Sequence, residues 1–387
     1  MRRTTTAALT LGLALVACGG RYDAGRMDPP GASGGASSAT GGSTGSGASN
    51  VGAGPSMGGL DGGSVGVGGS AGASMPPTDE LGPQCVASGE PPPLTGQFAA
   101  PAVVWNRISM LTWGEAMGPI PLALPTTTTY EWAGTMVTLA LLDVKSTTGG
   151  SRGLESVLRQ WLDLAPDAPL HGSWADDLLN HEPALHVLLL TPFFEPQRLG
   201  IFTEPSWLAQ YGSISARGAG FYKALLQPVP TPPAGVQQVL MPQPNQSERQ
   251  ALAAATVGPA CASCHQFVDP PGFALGHFDA KGSYRELDNG QPLDTAGSVL
   301  LVPTELKLPF DDLQDLNRKL ADSCAANRGF ADAFLRLALT INGVPAQMQS
   351  DFMDASTQRV RQAFLNGGRS YEALVKAYIQ SPAGLYP

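Results

Sequence analysis

The chain has 387 residues, 47 of them glycine and 34 proline, and a formal net charge of −9. That acidic balance argues against binding to nucleic acid or to anionic lipid through a basic patch. Its length suits one large domain or two smaller ones, once a low-complexity stretch near the start is set aside.

Residues 1–17 read as an export signal. Arg2 and Arg3 form the charged end, and Ala7–Ala17 is an apolar run too short to span a bilayer as a permanent helix. Leu15-Val16-Ala17-Cys18 resembles the lipobox of bacterial lipoproteins, which implies cleavage before Cys18 and lipidation of its thiol. Gly19 stands where an aspartate would favour retention in the inner membrane, so the expected destination is the outer membrane, the periplasm or the cell surface. The usual neighbours of a twin-arginine signal are missing around Arg2 and Arg3. Residues 18–83 are dominated by Gly, Ser, Ala and Pro. They cannot bury enough apolar surface to offset chain entropy, and read as a disordered tether with an end-to-end span of roughly 45 Å. No later apolar run approaches membrane-spanning length, so contact with a membrane is expected through the lipid anchor alone.

The remainder is expected to be mainly α, in an N-terminal helical region (84–215), a motif-bearing module (216–302) and a C-terminal helical module (303–387). Leu154, Val157, Leu158, Trp161 and Leu162 form the stripe of an amphipathic helix. Ser173 is a candidate cap for a helix through Leu179, interrupted near Pro183. Ser247 and Gln250 have capping-box spacing ahead of an alanine-rich run. The strand signal is confined to Arg285–Val302, where Asp288-Asn289-Gly290 supplies a hairpin turn. Beyond it, Leu313, Leu316 and Leu320 recur at helical intervals, as do Phe330, Phe334 and Leu337. Ser350 and Ser370 read as caps of two last helices, the first ending at Gly367-Gly368.

The strongest chemistry is Cys261-Ala262-Ser263-Cys264-His265. Two cysteines three positions apart with histidine next are the attachment signature of a c-type haem. Across one helical turn both thiols can reach one porphyrin edge, and the histidine offers a neutral imidazole nitrogen to iron. One such motif predicts one covalent haem c, with His265 as proximal ligand. A dithiol or disulfide site lacks a βαβ context, and a zinc site lacks a second Cys/His cluster. Met241, Met348 and His277 are sixth-ligand candidates, each with a more ordinary alternative as core filler or structural histidine. Asp269 and Asp279 are candidates for backbone hydrogen bonds near the haem, though an Asp-Pro turn accounts for Asp269 equally well. Arg285 reads either as a partner for a haem propionate or as a surface ion pair. His171, His181 and His186 have neither a nucleophile elbow nor an HExxH partner, which removes a hydrolase reading. Asp311, Asp312 and Asp315 read as a solvated helix face that could also attract a basic redox partner.

Asp269-Pro270-Pro271-Gly272-Phe273-Ala274-Leu275, Phe278-Asp279, Gly282-Ser283-Tyr284-Arg285 and Gly290-Gln291-Pro292-Leu293-Asp294 follow the motif in order. Upstream lie Arg198-Leu199-Gly200-Ile201-Phe202-Thr203-Glu204-Pro205-Ser206-Trp207-Leu208 and Arg217-Gly218. This order resembles the uncharacterised cytochrome-associated proteins of planctomycetes and myxobacteria, over about 135–387 and most clearly over 245–295. The resemblance implies an exported, cytochrome-like protein. The chain departs from it at Ala255, where many relatives carry histidine, at Gly276-His277 and at Gly384-Leu385.

Two functions follow as expectations. One is a lipid-tethered carrier passing single electrons to and from a redox partner protein. The other is a haem enzyme activating peroxide or oxygen, and a non-redox surface binding protein is a third. With Cys18 lipidated and Cys261 and Cys264 committed to haem, Cys85 and Cys324 remain, and an oxidising compartment favours a disulfide between them.

Overall fold

A computed structural model describes residues 94–116, 123–147, 150–226, 243, 245–301 and 306–387. The expected signal and tether, with Cys18, Cys85 and Met241, lie outside them. The chain is mainly helical.

Helix α1 (Pro101–Thr112) opens on proline, where a missing N–H is harmless, and buries Val104, Trp105, Ile108 and Leu111. Helix α2 (Tyr130–Ser146) is capped by Thr129, whose hydroxyl accepts the Trp132 N–H. Helix α3 (Ser151–Trp161) is the expected amphipathic helix, with Leu154, Val157, Leu158 and Trp161 buried. Helices α4 (Trp174–Asn180) and α5 (Ala184–Leu190) are separated at Pro183, as expected. Ser173 precedes α4 but departs from the extended backbone of a normal cap, and its hydroxyl donates to the Asp177 carboxylate instead. Strands β1 (Pro192–Phe193) and β2 (Glu195–Leu199) make a small antiparallel hairpin that the sequence reading did not foresee.

A 3-10 turn (Ile201–Thr203) leads through α6 (Pro205–Gln210) into α7 (Ile214–Leu225), which runs through the boundary expected at residue 216. Helix α8 (Glu248–Ala255) carries the expected capping box. Ser247 Oγ accepts the Gln250 N–H at 3.2 Å, and Gln250 Oε1 accepts the Ser247 N–H at 3.0 Å. Helix α9 (Pro259–Ala274) carries the cysteine motif. Strands β3 (Leu287–Asp288) and β4 (Gln291–Pro292) pair across Asn289 and Gly290. Both turn residues have positive φ, 48° and 77°, which suits a tight hairpin and matches the expected turn.

A further hairpin pairs β5 (Gly297–Leu301), inside the expected strand stretch, with β6 (Leu306–Phe310), which occupies the start of what was expected to be a helical module. It is followed by α10 (Leu313–Asp322), α11 (Cys324–Ile341), α12 (Ala346–Asn366), α13 (Tyr371–Ile379) and the short α14 (Pro382–Leu385). Ser370 caps α13 as expected, and Gly367 closes α12. Ser350 does not cap: α12 begins four residues earlier, after Pro345, whose fixed φ suits a helix entry.

The two ends of the described chain meet. Helix α13 packs on α1 and α2, the Tyr371 hydroxyl donates to Leu111 O, and Arg107 donates to the Gly384 and Tyr386 carbonyls. Helix α7 is the bridge to the motif, packing on α11 and lying along α9. Its Tyr222 hydroxyl donates to Leu300 O and accepts the Leu300 N–H, which ties β5 to the same helix.

The α7–α9 contact is backbone on backbone, because each helix presents glycine to the other. A Cβ at Gly218 would lie 1.4 Å from the Val268 carbonyl oxygen, and one at Gly272 would lie 2.0 Å from that of Ile214. Neither obstacle is a side chain that could swing aside. Gly218→Ala is therefore expected to lose about 3 kcal/mol of stability as overpacking forces the helices apart. Urea unfolding, read by the shift in midpoint at unchanged slope, checks this.

Candidate functional site

Helix α9 starts at Pro259, so Cys261 and Cys264 fall in its first turns, and His265 follows one turn after Cys261. Cys261 is 8% exposed, Cys264 is half-buried, and neither is in a disulfide. The helix continues through Pro270 and Pro271 without breaking. Asp269 is consequently helical, and the Asp-Pro turn considered for it does not form. Four residues on from His265, its carboxylate lies on the same helical face as the imidazole.

That carboxylate organises the site. His265 Nδ1 lies 2.9 Å from Asp269 Oδ1 and 3.1 Å from Oδ2. Ser215, one residue after the Ile214 carbonyl that abuts Gly272, donates its hydroxyl to Asp269 Oδ1 at 2.7 Å. The same hydroxyl lies 3.3 Å from His265 Nδ1. His265 is 5% exposed and Asp269 6%, so the cluster is dry on this side. A carboxylate can only accept, so Nδ1 carries the proton and Nε2 presents its lone pair. Among the described residues Nε2 has no hydrogen-bond partner.

The far end of α9 is held by Arg217, 2% exposed. Its guanidinium donates to the carbonyls of Tyr211, Leu275, Phe278 and Asp279, at 3.1, 3.1, 2.6 and 2.5 Å. A cation there satisfies carbonyls that the helix leaves open and meets the negative end of its dipole. Burial lowers the Arg217 pKa to about 10, which still leaves it charged at neutral pH. Arg198 does similar work on the next loop, donating to Thr203 O and Gly282 O at 2.6 Å each and lying over the Phe278 ring. Glu204, fully buried, accepts the backbone N–H groups of His171 and Gly172 and the Trp174 indole N–H.

The other sequence-derived candidates sit elsewhere. His277 lies beyond the end of α9, its Nδ1 2.9 Å from Arg285 O and its ring stacked on Tyr284. Met348 is 46% exposed in the first turn of α12, which packs on α11, α13 and α14, whereas α9 packs on α7 and β5. Arg285 bonds Gly276 O, Asp288 and Glu248, the last two as ion pairs. Asp279 shapes its own loop by accepting the Lys281 and Ser283 N–H groups. Asp312 caps α10, and Asp315, lowered in pKa chiefly by its hydrogen bond from Lys319, also pairs with Arg318. His171 lies against Glu204, His181 against Asp177 and His186 against Asp322, at three separate places. Cys324 is buried at the start of α11, and Cys85 is outside the described residues. No group of three or more His, Cys, Asp or Glu arranged to hold a metal ion occurs among the described residues.

Residues 198–288, about a quarter of the chain, match the family PSCyt3, a protein of unknown function (DUF1588). It is a planctomycete cytochrome-associated domain. No curated protein and no solved structure matches. The PSCyt3 match opens on Arg198 and closes on Asp288, two buried polar residues that each fasten a loop. Asp288 accepts the Glu248 N–H that begins α8 and the Arg285 guanidinium. Between these limits lie Glu204, Ser215, Arg217, Gly218, the cysteine motif, Asp269 and Gly272, so PSCyt3 contains the whole cluster just described. The sequence reading quoted Arg217 and Glu204 only as points of likeness and passed over Ser215. An arginine set directly before a glycine, on a helix otherwise rich in apolar residues, was the available signal for Arg217.

Replacing Arg217 by methionine keeps the volume but orphans four carbonyls. The expected cost is about 3 kcal/mol. Chemical unfolding of the variant beside wild type measures it.

Proposed function

We propose that the protein is an exported, lipid-tethered c-type cytochrome that passes single electrons to or from a redox partner protein. The observation that carries this reading is the donor set on α9. Two cysteines outside any disulfide stand three positions apart on one helix, followed by a buried imidazole whose Nδ1 is engaged and whose Nε2 is unengaged among the described residues. The chemistry of that set fits haem c: Cys261 and Cys264 would hold it covalently, and His265 would bind its iron. When bound, haem supplies one-electron chemistry. The protein's own part is to fix the imidazole. Asp269 holds the Nδ1 proton, Ser215 holds Asp269, and the close backbone approaches at Gly218 and Gly272 hold Ser215 in reach. The likeness to a cytochrome-associated family points the same way.

Expression in a host that matures c-type cytochromes tests the reading. Denatured wild-type protein should stain for haem on a gel at its mature mass, with one haem per chain by pyridine haemochrome. The Cys261→Ala/Cys264→Ala variant should lose the stain, and an unstained wild-type band overturns the proposal.

The export part rests on the lipobox at Leu15–Cys18 and the glycine-rich stretch behind it. A disulfide between Cys85 and Cys324 belongs to the same reading, since both would face an oxidising compartment. Wild-type protein is expected in the membrane fraction, and Cys18→Ser is expected to release it or stall its processing. Fully soluble wild type would show that no lipid anchor forms.

A further inference from the structure

The His265–Asp269–Ser215 cluster is more than attachment requires. A haem needs from the chain two thiols and one ring nitrogen, and none of these calls for a carboxylate behind the ring. Yet Asp269 is buried there with two oxygens facing Nδ1, at 2.9 and 3.1 Å, and a serine from another helix secures it at 2.7 Å. Burying a carboxylate is costly unless its hydrogen bonds are made, so the arrangement is an investment in the state of that imidazole.

We propose that Asp269 is a positioning residue that acts through His265 to hold the iron at low potential, with Ser215 moderating its strength. The inference rests on the haem reading above. A carboxylate accepting the Nδ1 proton makes Nε2 a stronger electron donor. A stronger donor stabilises ferric over ferrous iron, and hydrogen bonding behind the ligand is one of the levers by which a protein sets haem potential. Ser215 works against this. Its hydroxyl takes part of the negative charge on Oδ1, the same oxygen that lies nearest Nδ1. The two residues therefore tune in opposite directions. The protein is accordingly suited to give electrons to a partner of higher potential.

The experiment uses full-length holoprotein in redox titrations followed by the haem absorbance. Asp269→Asn keeps the shape and an acceptor for Nδ1–H but removes the charge. It is expected to shift the equilibrium at least tenfold toward the reduced form, about 59 mV for one electron. Ser215→Ala keeps the charge, frees Oδ1 and is expected to shift it the other way. A purely structural role would loosen the ring in both variants and move both potentials alike, which overturns the proposal. An unchanged potential in haem-loaded Asp269→Asn also overturns it while leaving the haem reading intact. Where Asp269→Asn does not accumulate, Ser215→Ala decides alone: a lower potential supports the proposal, and an equal or higher one overturns it. Wild type without covalent haem overturns both readings.

Discussion

Everything at the site depends on how closely α7 approaches α9. With side chains at residues 218 and 272, two helices pack with their axes 8–10 Å or more apart. With glycine at both, carbonyl oxygens of one helix occupy the space where the other would carry a Cβ. That closeness is what allows a side chain as short as serine to span the gap. Ser215 reaches Asp269 at 2.7 Å because the residue before it, Ile214, already touches Gly272. A longer residue on α7 could reach across a wider gap, but it would carry more rotamer freedom and hold the carboxylate less firmly.

Three buried charges of the same segment, Arg198, Glu204 and Arg217, are held chiefly by backbone groups rather than by one another. Arg217 gathers four carbonyls, Arg198 two, and Glu204 two backbone N–H groups with an indole N–H. Each is a long-range clasp: Arg198 joins residues 84 apart in sequence and Arg217 joins residues about 60 apart. Loops that lack regular ladders need such partners, because buried carbonyls and amides without them are expensive. The loop at 275–283 therefore owes its course to two arginines on separate elements. The likeness to PSCyt3 begins at the first of these, Arg198, well before the cysteine motif.

What could be read from the sequence was what is decided locally. The stripe of α3, the capping box of α8, the Asn289-Gly290 turn and the glycine end of α12 each depend on residues within about one or two turns of each other. Strand β5 falls within the expected strand stretch, but β6 was missed because Leu306-Lys307-Leu308-Pro309-Phe310 alternates correctly but contains proline, which weakens a strand reading. Its alternation was the better guide, with Leu308 and Phe310 buried and Lys307 and Pro309 exposed. Asp269 was misjudged for a related reason. Asp-Pro favours a turn in isolation, and only packing against α7 keeps the helix going past it. Ser215 could not be found at all, since it lies 54 residues from its partner and a lone serine carries no pattern.

The burial of Asp269 also fixes which histidine nitrogen is left to act. In water an imidazole can carry its proton on either nitrogen, and neither form is strongly favoured. Here one face of the ring system is closed by a carboxylate that has no proton to give and stands within hydrogen-bonding distance of Nδ1 through both oxygens. Moving the proton to Nε2 would set the Nδ1 lone pair against that carboxylate in a dry site, where such a contact is costly. The Ser215 hydroxyl gives no escape, because it already donates to Asp269. The tautomer with Nε2 unprotonated is therefore built in by the fold, before any ligand arrives. A ring prepared in this way would lose little orientational freedom on binding a ligand through Nε2.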